Sequence, residues 1–260
     1  MKIEDKHIAL KVNELSIGYK SISICDAIDF KLNKGELAAV VGVNGIGKST
    51  LLRTLGNFQP YLSGSIEIDG KEIQEYSSNV LATKISVVLT EPIASKNMTI
   101  KELVTLGRQP YTNWIGSIDA IDKEKIEASL EKLELSELQD KKCFELSDGQ
   151  LQRVMIARAL AQDTDIILLD EPTTHLDLYH KVQILKLLKN IAHTTQKTVL
   201  FTSHEIEMAI QLCDKTLILD GQKNPFGQPC ELIQNKAFEK LFPTDTVAFD
   251  SSTGSFRIQK

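Results

Sequence analysis

Nine consecutive residues, Gly42-Val43-Asn44-Gly45-Ile46-Gly47-Lys48-Ser49-Thr50, combine three glycines, a lysine and two hydroxyls in the order that grips a phosphate chain. Glycine lets the backbone pass close to a phosphate. Successive N–H groups and the N-terminus of a following helix then present positive potential to it. Lys48 adds a point charge for the β- and γ-phosphates, and the Ser49 hydroxyl can ligate Mg²⁺. The flanks agree. Leu37-Ala38-Ala39-Val40-Val41 reads as a short buried parallel strand, and 49–55 carries leucines at helical spacing. Strand, glycine loop and helix together point to a nucleoside triphosphate site, with Gly42, Asn44, Gly45, Ile46, Gly47, Lys48, Ser49 and Thr50 as its cradle.

Asp170 and Glu171 close a second apolar run, Ile166-Ile167-Leu168-Leu169. In a phosphate-loop fold a carboxylate at such a strand end faces the nucleotide-bound metal. Asp170 is expected to hold Mg²⁺, and Glu171 to orient or deprotonate the attacking water. Ser147 and Gln150 stand at capping-box spacing ahead of Leu151, Val154, Met155 and Leu160, with Gly149 between them. On these residues alone the segment is an ordinary capped helix or a second anion site. One nucleotide needs one phosphate loop, so a second anion site would have to serve something else.

The elements that must position these groups are legible in outline. Alternating pieces over 8–30 suggest antiparallel strands ahead of the loop, and 63–70 resembles another strand ending in a turn. The β-branched run 85–89 reads as a central strand. From about 92 to 158 the pattern is helical. Thr99 and Glu102 form a capping box, and Ile126, Leu130, Leu133 and Leu138 mark one face of an acidic amphipathic helix. Strands at 166–169, 198–201 and 216–219, with a helix around Val182, Leu185, Leu188 and Ile191, indicate a parallel sheet with crossover helices. A hairpin is expected around Ser251-Ser252-Thr253-Gly254. The expected fold is α/β, a nucleotide-binding core of about 1–91 and 159–240, a helical subdomain of about 92–158 and a hairpin tail of about 241–260.

Composition narrows the partners. The 260 residues hold 30 Lys+Arg against 35 Asp+Glu, a net −5, which argues against nucleic acid as the main partner. Cys25, Cys143, Cys213 and Cys230 are scattered, with neither metal-ligand pairing nor disulfide density, and read as free thiols in a reducing cytosol. No apolar run approaches the ~20 residues that span a bilayer. Met1-Lys2-Ile3-Glu4-Asp5-Lys6 has no apolar signal core behind it. A soluble, cytoplasmic chain is the expectation.

Taken together, the motifs resemble the ATP-binding cassette (ABC) family over nearly the whole chain. The family's signature matches Leu146-Ser147-Asp148-Gly149-Gln150, with Asp148 where a glycine is usual. Its aspartate loop matches Thr174-His175-Leu176-Asp177, its switch histidine His204, and its aromatic loop Tyr19, whose ring would stack on adenine. The resemblance implies ATP hydrolysis with Mg²⁺ by two cassettes meeting head to tail. Ser147, Gly149 and Gln150 of one copy would then close on the γ-phosphate held by the other. It also implies that His204 senses that phosphate. As a residue Asp177 is equally a loop solvator or a helix cap.

One departure matters: Glu91 stands where the family has a glutamine that reaches Mg²⁺ and the attacking water. A carboxylate can ligate the metal but has no N–H to donate, and it adds negative charge beside a triphosphate. Glu91 is therefore expected at the metal beside Ser49 and Asp170, with a catalytic part alongside Glu171, His204 and Lys48.

The segment 99–108 with Gly107-Arg108-Gln109-Pro110-Tyr111 is similar to the importers of iron chelates, haem and cobalamin, as is the ending 249–258. That likeness implies a bacterial source and a homodimer beneath an integral-membrane permease dimer. The chain would sit peripherally on the cytoplasmic face of the membrane, served indirectly by a periplasmic or lipid-anchored binding protein. The alternative is a soluble cassette ATPase of an assembly or repair complex. Long heptad arms, which chromosome and repair clamps of the family carry, do not interrupt the core.

Overall fold

The short apolar runs of the sequence lie side by side. The computed structural model describes residues 7–91, 95–242 and 245–259. The terminus read for a signal segment, 1–6, and the start of the helical stretch at Pro92 lie outside the described residues. Strands β1 (Ile8–Tyr19), β2 (Ile22–Asn33), β4 (Ser63–Ile68) and β5 (Lys71–Glu72) form an antiparallel sheet ordered β2-β1-β4-β5. The main sheet contains β3 (Leu37–Val41), β6 (Ile85–Val88), β7 (Ile166–Leu169), β8 (Thr198–Ser203), β9 (Lys215–Ile218) and β10 (Phe226–Gly227). Its order is β10-β9-β3-β8-β7-β6, parallel from β9 to β6.

Alternation along β3 divides the core. Leu37, Ala39 and Val41 face one cluster with Phe201, Leu169 and the helices α5 (Asp148–Ala161) and α6 (Leu178–Thr195). Ala38 and Val40 face another with Leu10, Val12 and Ile66 of the antiparallel sheet and with Leu51, Leu52 and Leu55 of α1 (Lys48–Leu55). A strand buried on both faces is why 37–41 is an unbroken apolar run.

Two sequence expectations need correction. The run 85–89 forms the edge strand of the sheet, not a central one. Its apolar composition reflects cover by α5: Gln162 Nε2 donates to the Ile85 carbonyl at 3.1 Å, and Arg158 Nη2 to that of Val87 at 3.4 Å. A covered edge is buried like an interior strand. The acidic helix α4 (Ala120–Lys132) stops before Leu138. Glu134 turns left-handed at φ 58°, and Leu138 packs on the same cluster from a separate 3₁₀ turn.

The helical layer is pinned by the Gly-Arg-x-Pro-Tyr string. A Cβ at Gly107 would meet the Arg158 carbonyl at 2.2 Å, so this turn and α5 approach backbone to backbone. Arg108 Nε donates to Asp122 Oδ1 at 2.8 Å with both side chains about 95% buried. Its guanidinium also donates to the Ala161 carbonyl and lies 3.9 Å from the Tyr111 ring centroid. The capping box predicted at Thr99–Glu102 opens α3 (Ile100–Thr105). The tail folds as the hairpin β11 (Val247–Asp250) and β12 (Ser255–Ile258), where Phe249 stacks on Phe238 and Phe256 meets Phe242 and Phe249 edge to face. The remaining short helices are α2 (Ser78–Leu81), α7 (Ile206–Leu212) and α8 (Pro229–Gln234). Among the described residues no helix is long and apolar enough to cross a membrane. The four cysteines are free, with only Cys230 exposed.

Candidate functional site

Because β3, β6, β7 and β8 run parallel, the residues that follow them emerge at one edge of the sheet. The loop 42–47 follows β3, Glu91 follows β6, Asp170 and Glu171 follow β7, and His204 follows β8. This carboxyl edge is where open parallel sheets bind ligands.

The loop ends at Gly47, which caps α1 with φ 110° and offers no side-chain acceptor to the first turn. A helix leaves its first N–H groups without internal partners, so they remain available to an anion. They open into a cavity of about 440 Å³ lined by Ile24, Asn44, Gly45, Gly47, Lys48, Ser49, Thr50, Glu171 and His204. Lys48 Nζ donates to the carbonyls of Gly42 and Val43 at 3.0 and 3.2 Å, folded onto its own loop. Burial pushes the Lys48 ammonium below its usual range, against the pull of Glu171 and Asp170. The Ile46 side chain packs against the apolar cluster behind the loop, and its N–H donates to the Val43 carbonyl at 3.4 Å. A larger hollow of about 890 Å³ opens at the opposite edge, at Lys34, Glu36 and Asp214, away from all of these groups.

Asp170 is buried, and one of its carboxylate oxygens is engaged twice. Its Oδ1 accepts from Ser49 Oγ at 2.9 Å and from Thr202 Oγ1 at 2.6 Å. The Thr202 hydroxyl in turn accepts the Glu171 N–H at 2.9 Å. Glu171 has φ 45°, a left-handed conformation that costs a non-glycine residue about 1–3 kcal/mol. Its carboxylate accepts from Thr174 Oγ1 at 2.9 Å and lies 3.7 Å from His204 Nδ1. The other ring nitrogen of His204 is 3.4 Å from Glu205, which pairs with Lys181. The sequence motifs assign no role of their own to Thr202 or Thr174. A hydroxyl near the end of the otherwise apolar run Val199-Leu200-Phe201 is the signal that marks Thr202.

Ser49 Oγ and Asp170 Oδ1 fit a magnesium ion, which takes hard oxygens and draws much of its shell from phosphate and water. Among the described residues no group of three or more His, Cys, Asp or Glu is placed to hold a metal ion. Glu91 does not line the phosphate cavity. Its carboxylate is held by Arg53, 2.7 Å away. Tyr19 stands at the rim, 52% exposed, its hydroxyl 3.4 Å from Thr50 Oγ1.

Ser147 and Gly149 also lie outside that cavity. Ser147 caps α5 in the predicted reciprocal pair: Gln150 N donates to Ser147 Oγ at 3.3 Å, and Ser147 N to Gln150 Oε1 at 3.1 Å. Both Ser147 and Asp148 are exposed. A Cβ at Gly149 would meet only ordinary contacts, none closer than 3.5 Å. Asp177 is a helix cap, accepting the His180 N–H at 2.9 Å at the start of α6.

Comparison with known proteins supplies the family context. The family described as ABC transporter matches residues 25–174. The petrobactin import ATP-binding protein FpuD of Bacillus anthracis is 35% identical, over 90% of this chain and 86% of its own length. The iron(3+)-hydroxamate import ATP-binding protein FhuC of Bacillus subtilis is 32% identical, over 91% and 88% respectively. Among solved structures, the dimeric ATP-binding cassette MJ0796, in a post-hydrolysis state with ADP and Pi, is similar with a TM-score of 0.72. It is 28% identical over 85% of this chain and 98% of that one.

Proposed function

The chain belongs to the ABC transporter family as an ATP-binding, ATP-hydrolysing member, and from that premise we propose that two copies close around two ATP to drive a separate permease dimer. Each triphosphate would lie on Gly42, Asn44, Gly45, Ile46, Gly47, Lys48, Ser49 and Thr50 of one copy, with Tyr19 against the adenine. Ser147, Gly149 and Gln150 would reach it from the other copy. Ser49 and Asp170 would hold Mg²⁺, with Glu91 near it. The ion would neutralise phosphate charge. Glu171 would take the proton of the attacking water, and His204, between Glu171 and Glu205, would contact the γ-phosphate.

The observation that carries this reading is the separation of the two helix starts. Lys48 and Glu171 share one cavity, while the capped, exposed start of α5 lies outside it with a glycine that the single chain does not need sterically. A second copy gives that glycine a use. The division into a core of about 1–91 and 159–240, a helical part of about 92–158 and a tail of about 241–260 belongs to the same reading. The named import relatives favour an iron chelate such as a siderophore complex as cargo. Haem and cobalamin are its chemical neighbours in size. The cargo would be delivered by a binding protein outside the membrane, with this chain on the cytoplasmic face.

Glu171→Gln should abolish turnover and trap an ATP-bound dimer on gel filtration. Normal hydrolysis by that variant would remove Glu171 as the base. A pull-down from detergent-solubilised membranes should recover a multi-spanning permease. Recovery of a soluble assembly factor in its place would overturn the transport reading.

A further inference from the structure

Arg53 lies one helical turn beyond Ser49 on α1, so the two side chains emerge from the same face of the helix. Its Nη2 donates to Glu91 Oε1 at 2.7 Å. Glu91 follows the edge strand β6, beside β7, and the N–H of Asp170, the residue after β7, donates to the Val88 carbonyl at 2.8 Å. Glu91, Asp148, Asp170 and Glu171 together line a cavity of about 180 Å³. A triphosphate arriving at Ser49 would meet that concentration of negative charge. A glutamine at position 91 would add none and would need no counter-ion.

We infer that Arg53 is a positioning residue for Glu91: it holds the carboxylate against α1 and cancels its charge until the metal–nucleotide complex takes its place. The inference rests on the reading of Glu91 as a metal-side residue. The pair is half exposed, and such pairs are weak, worth up to about five-fold in an equilibrium constant. Weakness suits a contact that must be released. It also makes the pair sensitive to what binds beside it. Mg²⁺-free ATP, carrying its full charge, should feel a bare Glu91 most. Mg²⁺–ATP, which offers the carboxylate a cation, should feel it least.

The test is a double-mutant cycle on the full chain. Binding of a fluorescent ATP analogue is measured in excess Mg²⁺ and in EDTA for the unmodified chain, R53Q, E91Q and R53Q/E91Q, with thermal melting to verify folding. R53Q should weaken binding in EDTA by about three-fold more than in Mg²⁺. E91Q should narrow the gap between the two conditions and lower the Mg²⁺ optimum of the ATPase, and the double variant should match E91Q. Equal losses for R53Q in both conditions, or a selective loss that persists in the double variant, would overturn the role of Arg53 alone. An E91Q variant with an unaltered Mg²⁺ dependence would overturn the metal-side reading of Glu91 and the inference with it.

Discussion

At the scale of single residues, the site is built from side chains that hold one another before any ligand arrives. Asp170 is fixed by Ser49 and Thr202, and Glu171 is held in a left-handed backbone by its N–H to Thr202 and its carboxylate to Thr174. The Thr202 hydroxyl therefore holds the Asp170 carboxylate and the Glu171 backbone together. Thr202→Val, close in shape, leaves the Glu171 N–H without its partner and should cost about 1–3 kcal/mol in denaturant titration. It should also lower kcat more than it raises KM. A variant with unchanged kcat would show that the hydroxyl merely fills the strand end. Lys48, Asp170 and Glu171 were legible in the sequence because each sits at a fixed offset from an apolar strand. Thr202 was not, because its role depends on which strand lies beside β7.

At the scale of elements, two helix starts and one ion pair carry the argument. The starts of α1 and α5 differ in cap: a glycine with no side-chain acceptor for the first turn, and a serine–glutamine box that occupies the Gln150 N–H. Lys48→Ala should lose nucleotide affinity in the single chain. Ser147→Arg should keep that affinity, as read by fluorescent-nucleotide binding, yet prevent ATP-induced dimerisation. Equal loss of binding in both would contradict a site shared between copies.

The Arg108–Asp122 pair fastens α4 to the turn that follows α3. Burial pushes the Asp122 carboxyl up, but the hydrogen bond from Arg108, the Asp119 backbone N–H and the Arg108 charge outweigh it and hold the group below its usual range. A group so depressed contributes stability that is present above its unfolded pKa and is lost as pH falls through its folded one. Arg108→Met, which strands the buried carboxylate, should destabilise by about 3–5 kcal/mol at neutral pH. Thermal melting should show the deficit shrinking towards acid pH as Asp122 becomes protonated. A deficit independent of pH would mean that Arg108 contributes by packing on Tyr111 alone.

At the scale of the whole molecule, the chain presents a complete phosphate cradle and a detached, exposed helix start, which together describe half of a machine. Gly149 offers a test that separates fold from assembly. A Cβ there meets only ordinary van der Waals contacts within the chain, so Gly149→Ala should change stability by no more than about 0.5 kcal/mol. Dimerisation of a hydrolysis-deficient background with ATP, followed by light scattering, should nevertheless weaken. Full dimerisation would place the requirement for glycine elsewhere.

The sequence by itself determined the nucleotide chemistry, because a phosphate loop is local: nine adjacent residues carry the turn, the charge and the hydroxyl. It also determined the parallel sheet and both helix caps, since apolar runs and capping boxes are short-range patterns. Only the tertiary structure decided that β6 is a covered edge, that Glu91 rests on Arg53 and that the Thr202 hydroxyl joins the Asp170 carboxylate to the Glu171 N–H. Those contacts join residues 38, 32 and 31 positions apart in the chain. Nothing in the spacing of one strand announces its neighbour. The physical reason is that strand order and helix packing emerge from burial summed over the whole core, whereas a glycine loop or a cap is settled within a single turn.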